Sequence, residues 1–279
     1  IRWNLLLEPM GYKISNSNAL WTISFGYLMN LTIPRSGEVA RSTALYGVEN
    51  VPVDKSFGTI ILERVVDLIC MGFFLLLTFV FKYDAIVSFF QYVTAQNANE
   101  PKADSGNKLY LLMGAFVGLG VLFFAFRKYL TKYSIYQKAI NFTKGIFHGL
   151  TSIFKLKQKL KFIVLSLAIW ICYYFAAYLV CFALPETSEF SFADGFFIIV
   201  VGTLGMMVPA SGGIGAFHFA LKLGIMALFL SMGKNPEEGG EVGLSYAFIS
   251  HTMQLVIMIV MGVISIPILA KERARLLSK

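Results

Sequence analysis

Val208-Pro209-Ala210-Ser211-Gly212-Gly213-Ile214-Gly215 interrupts one apolar segment, and Ile33-Pro34-Arg35-Ser36-Gly37-Glu38-Val39-Ala40 interrupts another about 175 positions earlier. Both read aliphatic, Pro, any residue, Ser, Gly, any residue, aliphatic, small. The apolar stretch before the first break, Ala19 to Ile33, is roughly 15 residues, or about 22 Å of helix, against a hydrocarbon core of about 30 Å. A break inside hydrocarbon strands backbone N–H and C=O groups, so it is tolerated only where protein or a wet cavity surrounds it. Paired breaks in the two halves of a membrane chain point to a site at a repeat interface.

The composition agrees with a membrane setting. Hydrophobic residues make up 57% of the 279 and charged residues 14%, and the mean hydropathy is +0.68. The expected class is an all-α polytopic membrane protein built as two inverted repeats, each with a broken re-entrant helical hairpin. The first repeat is assigned to about 1–126, a basic loop to 127–161 and the second repeat to about 162–279. A chain opening on Ile1-Arg2-Trp3 suggests a further helix upstream. Cys70, Cys172 and Cys181 sit at unrelated spacings in apolar segments, which fits neither a disulfide framework nor a metal cluster. No zinc signature, P-loop, nucleophile elbow or dinucleotide fingerprint is present, and no cofactor or metal is expected.

Outward from the breaks, residues 1–18 read as a membrane-surface segment and 19–50 as a hairpin entering and leaving on one face. Phe57 to Phe81 and Leu109 to Phe126 are long enough to span, and 82–108 is a polar loop. Arg127 to Lys161 carries nine Lys or Arg and no acid, which places it in the cytoplasm by the positive-inside rule. Tyr129, Tyr133, Tyr136, Ile140, Phe147, Leu150 and Phe154 recur there at near-helical spacing, as on an amphipathic helix lying on anionic lipid headgroups. Phe162 to Ala183 spans outward to an acidic turn, Pro185–Glu189 with Asp194. Phe196 to Val208 and Ala216 to Met232 flank the second break, as a re-entrant pair or two thin spans. A second acidic loop, Lys234–Glu241, then precedes a last span, Leu244 to Leu269. Lys271, Arg273, Arg275 and Lys279 place the C-terminus in the cytoplasm, within a plasma membrane of the bacterial inner-membrane kind.

Charges inside a membrane helix cost several kcal/mol unless paired or wetted, so they mark function by default. Glu63 and Asp67 share a helical face and repel, and Arg64 can reach Asp67 but cannot neutralise both. A second cation is required, and Arg35 or Arg41 of the first hairpin, beside Glu38, is the expected source. Ser211, Gly212, Gly213 and Gly215 precede a helix whose free N–H groups suit a phosphate or carboxylate. The substrate-binding set is thus Arg35, Glu38, Arg41, Glu63, Arg64, Asp67, Ser211, Gly212, Gly213, Gly215 and His218, with Pro34, Gly37 and Pro209 as structural breaks. His251 and Gln254, at i and i+3 on the last span, could serve as a proton relay or headgroup contact, although interhelical hydrogen bonding is the commoner role. Trp170, Tyr173, Tyr174 and Tyr178 read as packing or belt residues.

Pro34-x-x-Gly37-Glu38-x-x-Arg41, Glu63-Arg64-x-x-Asp67 and Pro209-x-x-Gly212-Gly213-x-Gly215, in this order, resemble the flippase-like family, also called the lysylphosphatidylglycerol synthase transmembrane region. The Arg-Trp start resembles the segment that follows the family's first helix. The resemblance implies a lipid-translocating domain, joined in some members to a soluble aminoacyl-transferase domain that these 279 residues do not include. A lipid transporter, rather than an enzyme, is therefore expected, acting on a phospholipid, an aminoacylated lipid or a polyprenyl-linked lipid. His218 departs from the acidic residue the family usually carries there, which bears on whether the same cationic headgroup is handled. The expected partners are membrane phospholipid or glycolipid, a second copy of the chain or a lipid-synthesis enzyme, and not nucleic acid. The competing readings are a membrane transferase acting on a lipid carrier and a non-transporting scaffold for a lipid-synthesis enzyme.

Overall fold

The computed structural model describes residues 1–88 and 151–278, together with 91 and 144; among these no strand occurs. The loop at 89–108, the span from Leu109 and most of the basic loop therefore lie outside the described residues. The first helices are α1 (Arg2–Leu7), α2 (Asn16–Thr32), α3 (Gly37–Glu49) and α4 (Val53–Phe81). After the gap come α5 (Lys159–Tyr178), α6 (Phe192–Met207), α7 (Ala216–Ser231) and α8 (Pro236–Leu277).

Both breaks end helices as the sequence anticipates. Ile33 turns extended ahead of Pro34, and Arg35 takes a left-handed φ of 62°. Asn30 then caps α3: its Oδ1 accepts the Gly37 N–H at 2.7 Å. Gly26 and Gly37 let α2 and α3 touch backbone to backbone, since a Cβ on Gly26 would sit 2.8 Å from the Gly37 carbonyl oxygen. At the second break Val208 and Ala210 are extended, and Gly212 and Gly215 take φ of 60° and 83°, a region open to glycine at little cost. The hairpins α2–α3 and α6–α7 are thus helix–break–helix units. At 16 residues each, α6 and α7 reach about 24 Å, short of a bilayer core.

Three described segments are long and apolar enough to cross a membrane: Lys159–Ala183, Ser211–Ser231 and Pro236–Leu277. α8 is the spine of the molecule, packed along α7 on one side and α2 on the other, while α4 packs on α3, α5 and α6. The lipid-facing side of α8 is a file of exposed aliphatics, including Val256, Ile257, Val260 and Val263.

Three expectations are corrected. Residues 2–7 do not lie on the surface: Trp3, Leu6 and Leu7 are among the most buried side chains, because α1 inserts its apolar face between α2, α4 and α5. Pro236 to Glu241 is not a loop but the first turns of α8. Asn235 caps it by accepting the Glu237 N–H, and Gly239 and Gly243 allow α7 to lie against it. Asp194 is no exposed acid of an external turn. It is 1% exposed, closes a capping box with Ser191 at the start of α6, and pairs with Lys82 Nζ at 2.5 Å.

The cysteines are free, with Cys181 buried and Cys172 exposed. Trp170 and Tyr174 are buried in an aromatic cluster with Phe74 and Phe196, whereas Tyr173 is exposed.

Candidate functional site

α4 carries Glu63, Arg64 and Asp67 past the end of α3, where α1 also arrives. Glu63, only 3% exposed, is held from two sides: Arg41 Nη1 lies 2.9 Å from Oε2, and Arg2 Nε lies 3.4 Å from Oε1. Arg2 also donates to Asp67, at 2.7 Å through Nη1 and 3.3 Å through Nη2, a fork geometry suited to a carboxylate. Arg64 reaches Asp67 at 3.7 Å and leaves about half of its side chain exposed. Three guanidinium groups thus stand against two carboxylates. Glu38, half-buried one turn before Arg41, acts on Arg64 through the field rather than by direct pairing.

Arg41 occupies an unusual position. It is 7% exposed and stacks on the Trp3 ring, with the guanidinium carbon 3.6 Å from the ring centroid. The ring is itself fixed by a 2.9 Å hydrogen bond from Trp3 Nε1 to Thr59 Oγ1. A cation over an indole face is well placed, and more so when desolvated. Yet Arg41 Nε and Nη2 are buried with no hydrogen-bond partner among the described residues. Buried donors are normally satisfied, so an orphan pair on one guanidinium calls for an explanation.

The second expected cation is therefore Arg41, joined by Arg2, and not Arg35. Arg35 instead donates to the carbonyl of Met207, the last residue of α6, where C-terminal carbonyls lack helical partners and favour a cation. This contact joins the first break to the second. Leu31 does the same from the apolar side: a Cβ on Gly212 would meet its Cδ2 at 2.7 Å.

Ser211, Gly212, Gly213 and Gly215 form a separate group from the Arg41 cluster. Their neighbours are His251, whose Nε2 lies 2.9 Å from the Gly212 carbonyl oxygen, and His218 in the first turn of α7, with ring centres 5.0 Å apart. Gln254 is exposed, one turn beyond His251 and away from this group. The candidate site thus has two parts, one charged and one glycine-rich, with Arg35 between them.

Sequence reasoning passed over Arg2, Trp3 and the Lys82–Asp194 pair. A signal for the first two was available: the run Leu5-Leu6-Leu7 beside Trp3 marks a buried helix, and a buried helix next to two unbalanced carboxylates should supply a cation.

Among the described residues no group of three or more metal-ligating side chains occurs. A UPF0104 membrane protein of Methanocaldococcus jannaschii is 30% identical to the chain over 91 residues, which is 32% of this chain and 26% of that protein. The match thus spans about a quarter of the relative's length. No solved structure matches the chain. The family model described as lysylphosphatidylglycerol synthase TM region matches residues 1–262, nearly the whole sequence, and the chain belongs to that family of membrane proteins.

Proposed function

We propose that this chain carries a phosphate-bearing lipid between membrane leaflets, with the phosphate held at Arg41 and the headgroup passing along the seam between the two breaks. The observation that carries the reading is the pair of orphan donors, Nε and Nη2, on a buried and stacked Arg41. A guanidinium with one edge engaged by Glu63 and another unengaged suits bidentate binding of a phosphate oxygen pair. Exposed Arg64 offers a charged approach to it, and Glu38 is placed to meet an ammonium where the headgroup has one. The acyl or polyprenyl chains would remain in lipid against the apolar outer faces of α4 and α8. The same reading takes the two hairpins as inverted repeats opening to opposite sides of a bacterial inner membrane, with the basic C-terminus cytoplasmic.

The test is native mass spectrometry of lipids retained by gently purified protein, comparing wild type with Arg41→Lys and Arg64→Ala. Lysine keeps a charge beside Glu63 but loses the fork. Retention of one phosphate-bearing lipid class by wild type, and its loss in Arg41→Lys, is the expected result. The same unselective lipid mixture in all three proteins would contradict the proposal and favour a scaffold that transports nothing.

A further inference from the structure

The imidazole pair at the second break is not used by the phosphate site. His251 is 1% exposed on α8, and its Nε2 lies 2.9 Å from the Gly212 carbonyl oxygen. A carbonyl can only accept, so Nε2 carries the hydrogen and Nδ1 is left as a bare lone pair. That Nδ1 has no hydrogen-bond partner among the described residues, and neither has Nδ1 of His218. The two ring centres are 5.0 Å apart. Ring nitrogens sit about 1.2 Å from an imidazole centre, so two rings joined by an N–H···N bond of about 2.9 Å have centres about 5 Å apart. The spacing, though not the present ring orientation, is that of a shared proton.

The surroundings suit one added charge and not two. The Phe217 ring is 5.0 Å from His251 and the Phe248 ring 4.5 Å from His218, and aromatic rings favour a cation close by. Titratable groups on the packed elements lie elsewhere. α2 offers only Tyr27, and the single acid of α6, Asp194, is at its far end and paired with Lys82. On α7, Lys222 follows His218 by one turn and lies against Gly240 and Gly243. On α8, Tyr246 donates to the Ala177 carbonyl and Glu241 is ten residues before His251. A second proton would set two imidazolium charges about 5 Å apart in a medium of low dielectric, a repulsion of several kcal/mol.

We infer that His218 and His251 form a binding site for a single proton, held between their Nδ1 atoms at the turn of the second hairpin. The proton comes from water and adds to a lone pair, and no bond breaks. Once it is bound, the His251 N–H to Gly212 becomes charge-assisted, roughly twice as strong as a neutral bond. The bridge also ties the first turn of α7 to α8. Loss of the proton relaxes both contacts, so the turn at Gly212 is held according to proton occupancy. A link from this occupancy to lipid movement rests on the transport reading; the proton site does not.

The experiment is 15N-imidazole NMR of the full chain in lipid bilayers, titrated from pH 8.5 to 4.5 in a His148→Gln background, with and without His218→Phe. Both histidines should respond in one transition that takes up one proton, with hydrogen kept on His251 Nε2 throughout. In His218→Phe, which retains a ring against Phe248, His251 should need at least about tenfold more acid to protonate. Two independent transitions taking up two protons, or none across the range, would overturn the inference. The spectra do not depend on transport, so a protein that takes up the shared proton yet moves no lipid would refute the transport reading and leave the proton site standing.

Discussion

Arg41 serves two roles, ion-pair partner of Glu63 and phosphate donor, and substitutions can separate them. Removing the guanidinium alone strands a buried carboxylate, a loss of about 3–5 kcal/mol. Arg41→Met should therefore lower the thermal stability of the purified protein sharply. Adding Glu63→Gln removes the stranded charge, and the double variant should recover most of that loss while retaining no phosphate-bearing lipid. Recovery of lipid retention along with stability would mean that Arg41 is only a structural partner. The carboxylates on α4, and their need for a second cation, were legible in the sequence because like charges four apart repel wherever the helix sits. Which cation answers was not legible, because Arg2 and Arg35 lie in stretches whose burial depends on α1 and on the meeting of the two breaks.

The helix ends and turns carry the next set of consequences. Gly212 and Gly215 share a positive φ, but a Cβ on Gly212 would run into Leu31, whereas nothing lies within 4 Å of one on Gly215. Gly215→Ala should then cost only the left-handed backbone strain of about 1–2 kcal/mol, and Gly212→Ala measurably more, with Leu31→Ala restoring part of the difference in melting temperature. Equal losses at the two positions would show that the breaks do not pack as described. The acids near Ser191 divide in the same way. Asp194→Asn breaks a buried pair with Lys82 and weakens the α6 capping box, for about 2–3 kcal/mol. Glu189→Gln, on an exposed pair with Lys234, should change stability by under about 0.5 kcal/mol. The breaks were readable from Pro34 and Pro209 because proline ends helices locally. The start of α8 was missed for a tertiary reason: Gly239, Gly240 and Gly243 read as a loop, yet they are the surface on which Phe229, Met226 and Lys222 lie.

At the scale of the molecule, α8 supports two helix–break–helix units whose breaks touch through Arg35 and Leu31. α8 is 42 residues long, or about 63 Å, twice the hydrocarbon thickness, so it can hold both units in one frame while its ends reach water. Arg35 stands on this seam, which a headgroup leaving the Arg41 cluster for the second break would have to cross. The charge asymmetry and apolar spans made the membrane class legible early. The contact between breaks 175 positions apart was not, because nothing local specifies it. The most direct measurement is movement of a fluorescent phospholipid across proteoliposome membranes containing wild type or Arg41→Lys at matched, folded protein. Wild type should accelerate movement well above protein-free vesicles, and Arg41→Lys should lose at least about tenfold of that increment, the equivalent of about 1.4 kcal/mol. Movement by Arg41→Lys at the wild-type rate, or none by wild type for any phosphate-bearing lipid tried, would contradict the account.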